Sequence, residues 1–105
     1  MINYMTRIVG KSKLNYILLK EHNAQIVLTQ RKIEHIVLAA SGFTNQEIAQ
    51  ILFISKSTVK KTFEDIFKKL NVRDRANLVH KAWALGLLDS NIEKQILIRY
   101  NIIDE

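Results

Sequence analysis

The chain of 105 residues contains no cysteine, no proline and only three glycines. Without cysteine it can form neither a disulfide framework nor a cysteine-ligated metal site, which agrees with a reducing compartment. The scarcity of residues that interrupt regular structure favours helices. No apolar run approaches the roughly 20 residues of a membrane span, and the N-terminus lacks the pattern of a signal peptide. We therefore predict a cytoplasmic protein without a membrane partner.

What the chain does contain is an excess of positive charge. It has 16 lysine and arginine residues against 10 aspartate and glutamate residues, a formal net charge of +6 and a sequence pI of about 9.7. Such an excess suggests a polyanionic partner, either nucleic acid or an anionic membrane surface. A basic protein without such a partner has the same composition, so charge favours nucleic acid only together with a suitable fold.

The sequence offers no constellation for catalysis or metal binding. The three histidines, His22, His35 and His80, have no short-range spacing to one another, and no histidine–carboxylate cluster typical of zinc is present. No nucleophile–base pair, glycine-rich phosphate loop or zinc-protease motif occurs. We predict that the protein is not an enzyme and needs no cofactor or metal ion.

Hydrophobic spacing predicts four helices in a central block, residues 28–88. The first ends at Gly42, in the position of a C-cap glycine. The second begins at a T-x-x-E capping box at 44–47. The third spans 55–70 and the fourth 74–86. Because only a few residues separate the second helix from the third, these two short helices should meet at a steep angle, as in a helix-turn-helix.

The segments outside the block are also predicted to be helical. In the leader, residues 1–27, a short helix is expected to begin near Ser12 and to include Leu14, Ile17 and Leu18. In the tail, residues 89–105, apolar residues recur at helix-like spacing: Ile92, Ile96, Leu97, Tyr100 and Ile103. The sequence therefore predicts an all-α fold, a four-helix helix-turn-helix domain with extra helical segments at both ends.

The third helix has an apolar side and a charged side. In a recognition helix the apolar side attaches to the scaffold while the charged side enters the major groove of duplex DNA, and the positive N-terminus favours a phosphate. Pairs spaced i, i+4, such as Lys60 with Glu64, would equally suit a solvated helix. The capped helix and tight turn before it favour DNA. The predicted DNA-binding residues are Lys56, Ser57, Thr58, Lys60, Lys61, Glu64, Lys68, Arg73 and Arg75, of which Lys68, Arg73 and Arg75 are the weaker, phosphate-contacting candidates.

Five spaced motifs follow one another in the block: LTQR at 28–31, GFTNQEIA at 42–49, ISKSTVK at 54–60, KKLNVRDR at 68–75 and ALGLL at 84–88. In this order they resemble the LuxR/GerE-type helix-turn-helix domain of bacterial transcription regulators. The resemblance implies that the second and third helices form the helix-turn-helix, and that Thr58, Val59 and Lys60 match the signature of the recognition helix. It also implies that Val59 packs inward while Lys60 and Lys61 approach bases and phosphates.

The resemblance further implies that the fourth helix forms the dimer contact in the DNA-bound state. The candidate interface residues are Leu78, Val79, Ala82 and Trp83. For Trp83 we favour a place in the core, against Phe63 or Phe67, over a place in the interface, because a lone tryptophan more often anchors a helix. A homodimer on double-stranded DNA would present two recognition helices about 34 Å apart to a two-fold-related site.

The sequence departs from the pattern of the resembled family at three places. Lys32 stands where a glutamate is usual, so the first helix lacks its capping box, at an expected cost of a few tenths to about 1 kcal/mol. Thr62 stands where a histidine or similar residue is common. Glu64 and Asp65 put carboxylates on or near the charged side. Glu64 could accept a hydrogen bond from cytosine N4, but we favour restraint of the neighbouring lysines by both carboxylates.

The function that these features predict is sequence-specific DNA binding in transcription regulation. The alternative is a protein-interaction module that binds and modulates another regulator without reading DNA, which Glu64 and Asp65 favour. Typical relatives carry a sensory or phosphoacceptor domain, which 27 leading residues cannot form. The chain is therefore expected to be either a stand-alone regulator or a fragment, and Met1 with the irregular leader favours the former. The leader and tail are the places expected to bind a partner regulator.

Overall fold

The computed structural model describes residues 5–9, 16–21 and 24–104, with side chains from residue 26 to residue 104. Three strands precede five helices. Their bounds are β1 Met5–Val9, β2 Tyr16–Glu21, β3 Ala24–Thr29, α1 Gln30–Ala40, α2 Asn45–Leu52, α3 Lys56–Leu70, α4 Arg75–Ala84 and α5 Ser90–Arg99. In the part of the chain described, no helix combines the length and the apolar character needed to cross a membrane.

The strands form an antiparallel sheet in the order β1-β2-β3. Ile17 of β2 lies opposite Ile8 of β1 on one side and Leu28 of β3 on the other. The prediction of a helix in the leader is therefore wrong for Ile17 and Leu18, whereas Ser12 and Leu14 lie outside the described residues. The physical reason is that two apolar segments joined by two residues can pair as a hairpin, and such pairing is not visible in the spacing within one segment.

The four helices of the central block form as predicted, and each begins at a polar cap. Thr44 and Glu47 make the full capping box: the Thr44 N–H donates to Glu47 Oε1 at 2.9 Å, and the Glu47 N–H donates to Thr44 Oγ1 at 3.2 Å. The bond from the Thr44 backbone lowers the pKa of the Glu47 carboxyl. Gly42 has φ of +93°, the left-handed conformation that a glycine adopts without strain after a helix.

The core is organised around α1, in which seven consecutive residues from Ile33 to Ala39 are buried. This helix contacts β2, β3 and the other four helices. On α3 the inward residues are Val59, Phe63, Ile66 and Leu70, which repeat at helical spacing and leave the opposite side to solvent. The core thus holds α3 by one side only, and the opposite side of this helix faces solvent along its length.

The prediction of a helical tail is confirmed for Ser90–Arg99, which form α5, whereas Tyr100 and Ile103 follow the end of this helix. A buried carboxylate holds α5 on α1. Glu34 of α1 is only 4 % exposed. Its Oε1 accepts a hydrogen bond from the Tyr100 hydroxyl at 2.7 Å, and its Oε2 accepts one from Arg99 at 3.0 Å. Arg31 lies 3.5 Å from Oε1. Burial, with the bond to Glu34, raises the pKa of Tyr100 to about 12.

Candidate nucleic-acid interface

The exposed side of α3 carries most of the predicted contact residues. The apolar residues of this helix are turned into the core, so its charged side chains stand on the other side. Seven of the predicted residues lie on α3 and are exposed: Lys56, Ser57, Thr58, Lys60, Lys61, Glu64 and Lys68. A convex helix with one anchored side and one cationic side is the shape that the major groove accepts.

The N-terminus of α3 presents a cluster of hydroxyl groups. Ser55 caps the helix by accepting the Thr58 N–H at 3.1 Å. Its Oγ also lies 3.0 Å from the Ser57 hydroxyl and 2.8 Å from the Thr58 hydroxyl. Lys56 is the first helical residue and is exposed beside them. Hydroxyl groups, a lysine and the positive end of the helix dipole therefore belong to the same helix end, which favours an anionic oxygen.

Among the described residues, neither carboxylate of α3 forms an ion pair with a lysine of the same helix, contrary to the interpretation that we favoured from the sequence. Asp65 instead pairs with Lys32 of α1, with 2.6 Å between Nζ and Oδ2. The hydrogen bond from Lys32 lowers the pKa of Asp65. Within the described part of the chain, Glu64 forms no ion pair with either Lys60 or Lys68. The lysine at the start of α1 thus gains a partner on α3, which offsets its position at the positive helix end.

Arg75 differs from the other predicted contact residues because its guanidinium is engaged within the protein. It donates to Asn45 Oδ1 at 3.0 Å and to the carbonyl oxygen of Phe43. It also lies over the Phe63 ring, 5.3 Å from the centroid. Arg75 therefore links the start of α4 to the start of α2 and to α3, and helps to fix the orientation of α3. Arg73, two residues earlier, is exposed.

A cleft of about 470 Å³ lies between α2, α3 and the start of α4. Phe63 and Phe67 contribute aromatic surface, with their ring centroids 6.1 Å apart. The lining brings together four predicted contact residues from α3, from the segment before α4 and from the first position of α4: Lys60, Glu64, Arg73 and Arg75. Asn45 also lines it, and sequence analysis missed this residue because its partner, Arg75, is 30 positions away.

The structure corrects two of the predictions for α4. Leu78 and Ala82 have no exposed surface, so they belong to the core of the chain and are wrong as interface residues. The core position favoured for Trp83 is also wrong, because its side chain is 51 % exposed. The reason is the rotation of α4: Leu78, Ala82 and Leu85 form the inward stripe, and Trp83 lies about 100° further round the helix. Val79 is partly buried at the edge of the core.

Histidines of the described residues give no metal site, and His35 has a structural environment. His35 is fully buried, its Nδ1 is 2.7 Å from the Arg31 carbonyl oxygen, and its ring meets Phe63 edge-on at 5.5 Å. Its Nε2 has no hydrogen-bond partner in the part of the chain that the structure describes. Burial lowers the pKa of His35, so the ring is neutral near pH 7. Across the described residues, no group of three or more histidines and carboxylates is placed to hold a metal ion.

Comparisons with known proteins agree with this fold. The oxygen regulatory protein NreC of Staphylococcus carnosus is 40% identical over 63 residues, which are 60% of this chain and 29% of that protein. The response regulator VraR of Staphylococcus aureus is 40% identical over 62 residues, 59% of this chain and 30% of VraR. The HTH-type transcriptional regulator AlkS of Alcanivorax borkumensis is 39% identical over 66 residues, 63% of this chain and 8% of AlkS. The chain thus spans less than a third of the length of each of these relatives.

A solved structure of the Vibrio cholerae VqmA dimer, described as a LuxR-type receptor, has a similar fold. The TM-score is 0.53 at 14% sequence identity, over 87% of this chain and 58% of that one. The family model described as bacterial regulatory proteins, luxR family, matches residues 26–82, more than half of the chain. The matched segment contains α1 to α3 and most of α4, together with the end of β3. The chain therefore belongs to the luxR family of bacterial regulatory proteins.

Proposed function

We propose that the chain is a sequence-specific DNA-binding transcription regulator that places α3 in the major groove of duplex DNA. The observation that carries the proposal is the two-sidedness of α3, whose apolar side is buried while its lysines are exposed. Family membership indicates a regulatory protein without enzymatic activity, and the similar proteins are named as regulators. Action on chromosomal DNA would place the protein in the cytoplasm, so the predicted location is part of the proposal.

The proposal divides the contacts along α3 by their position. Lys60 and Lys61, in the middle of the exposed side, are assigned to base edges together with Glu64, a free acceptor for a cytosine amino group. The N-terminal group of Lys56, Ser57 and Thr58 is assigned to a phosphate. Lys68 and Arg73, nearer the other end, are assigned to phosphates at the edge of the site. Arg75 is assigned mainly to positioning, because two of its N–H groups already donate within the protein.

The second part of the proposal is a homodimer on DNA through the exposed side of α4. Trp83 supports it, since a half-exposed tryptophan on a helix is a common anchor of protein–protein contacts. Val79 is the neighbouring apolar residue with remaining exposed surface. Two protomers related by a two-fold axis would place their recognition helices about 34 Å apart, so the binding site should have two related half-sites.

The experiment that tests the proposal compares two lysines of α3. Sequences bound by the protein are first selected from a random duplex pool, and affinity is then measured by fluorescence anisotropy on selected and random duplexes. Lys60→Ala should weaken binding to the selected site by about 1–3 kcal/mol and affect random DNA less. Lys68→Ala should weaken binding to both alike and reduce the salt slope by about 1. Equal losses on selected and random DNA for both variants would contradict the division of roles.

A second candidate function is supported by Glu64, an exposed carboxylate in the middle of the cationic side that forms no ion pair with another described residue. A negative charge in that position repels phosphates and suits a partner regulator with a basic surface. The same anisotropy measurement separates the two functions, because a basic DNA reader binds random duplex at low salt with a steep salt dependence. An absence of binding at low salt would favour the protein-interaction module.

A further inference from the structure

The turn between α2 and α3 contains a side chain that the core does not use. Phe53 is 94 % exposed, the most exposed of the large hydrophobic residues with described side chains. Its backbone is left-handed, with φ 57° and ψ 45°, and its N–H closes α2 by donating to the carbonyl oxygens of Ala49 and Gln50. Because the ring stays in water, it contributes no hydrophobic stabilisation to the fold. The left-handed backbone conformation also disfavours a residue that has a Cβ.

The other left-handed positions of the described residues have residues that tolerate this conformation. They are Gly42, Gly86, Asn71 and Asn101. Glycine adopts it freely, and asparagine is the side chain that most often accepts it. Phe53 is therefore unfavourable in two independent ways, in its backbone and in its exposure. Neither disadvantage is offset by a contact with another described side chain.

The turn itself is well anchored, so the backbone of Phe53 has a defined place. The Ile54 N–H donates to the Ala49 carbonyl oxygen at 3.0 Å, and Ile54 packs against the core. Lys56 follows Phe53 by three residues, so their Cα atoms are at most about 11 Å apart. A ligand that reaches Lys56 and the hydroxyl cluster at the start of α3 therefore lies within reach of the Phe53 ring.

We propose that the Phe53 ring contacts the deoxyribose surface of one DNA strand beside the major groove when α3 is inserted. This inference rests on the proposed function. The residues that follow Phe53 in the chain, which include Lys56 and the hydroxyls of Ser55 and Ser57, suit a polyanion. An uncharged ring cannot pair with a phosphate, but the sugar between two phosphates offers C–H surface that the ring can cover. The contact holds the turn against the backbone and so fixes the depth and register of α3.

The test uses Phe53→Gly, a change that suits the left-handed backbone. The urea midpoint of the variant should equal or exceed that of the wild type, because the ring is exposed and glycine removes the backbone strain. Affinity for the selected duplex should fall about twofold to fivefold, as expected from losing the burial of roughly a third of a phenylalanine side chain. The salt slope should be unchanged, because no charge is removed. Phe53→Tyr should retain the affinity of the wild type.

Matched variants separate this contact from ionic and structural effects. Lys56→Ala removes a charge from the same region and should lower the salt slope by about 1. Phe53→Asn, which also suits a left-handed backbone, should bind as weakly as Phe53→Gly. If Phe53→Gly binds as tightly as the wild type while Lys60→Ala is impaired, the sugar contact is refuted and the proposed function stands. If the wild type itself fails to bind duplex DNA at low salt, both are refuted.

Discussion

Substitutions at the buried carboxylate of α1 give a graded test of how α5 is held. Glu34 has two partners on the C-terminal helix, and they differ in exposure. Tyr100→Phe removes the hydrogen bond of 2.7 Å to a buried carboxylate and should cost about 1–3 kcal/mol. Arg99→Ala removes an ion pair whose arginine side chain is 49 % exposed, so water screens it and the expected cost is about 0–1 kcal/mol. Glu34→Gln should cost at least as much as Tyr100→Phe, because it weakens the bonds to both partners.

The assay combines urea unfolding, followed by far-UV circular dichroism, with amide hydrogen exchange. Tyr100→Phe and Glu34→Gln should each speed exchange in α5 more than in α2, because the lost contact ties α5 to α1. The double variant should be destabilised by less than the sum of the two single changes, since both remove the same bond. The reasoning would be refuted if Arg99→Ala cost more than Tyr100→Phe, or if the two single effects simply added.

Three further predictions follow from the described contacts. A double-mutant cycle with Lys32→Ala and Asp65→Asn should give a coupling of about 0.2–1 kcal/mol that decreases in high salt; coupling that is insensitive to salt would contradict a screened ion pair. His35 has a lowered pKa, so it binds protons more readily when unfolded, and stability should fall as the pH drops below its ordinary value of 6.5 towards the lowered value. His35→Leu should flatten this dependence, and an unchanged pH profile would count against it. Trp83→Ala should weaken binding to a duplex with two half-sites more than to one with a single half-site, with a loss of stability of about 1 kcal/mol or less; equal losses on the two duplexes would exclude α4 as the dimer contact.

The helices were predictable because their signals are local. The capping box at Thr44 and Glu47, the glycine at position 42 and the apolar spacing of α3 each act within one or two turns. These signals specify where helices begin and end, and which side of α3 is buried. The exposed lysines of the candidate interface follow directly from that side. Most residues of the candidate interface could therefore be predicted from the sequence.

What could not be predicted depends on contacts between distant segments. Strand β2 pairs with β1 and β3, and the spacing of Ile17 and Leu18 alone does not distinguish a strand from a short helix. The exposure of Trp83 depends on how α4 is rotated against α1. The pair of Lys32 with Asp65 joins two helices 33 positions apart, so the i, i+4 pattern pointed to the wrong partners. The exposure of Phe53 likewise follows from the turn geometry and not from its residue type.

The measurement that tests the central claim most directly is an NMR titration of the ¹⁵N-labelled protein with a selected duplex. If α3 enters the major groove, the largest amide shift changes should lie at the start and middle of α3, around Lys56, Ser57, Lys60 and Lys61. Amides of the buried side of α1 should change little. Shift changes concentrated on α5 or on the sheet, with α3 unaffected, would contradict the account.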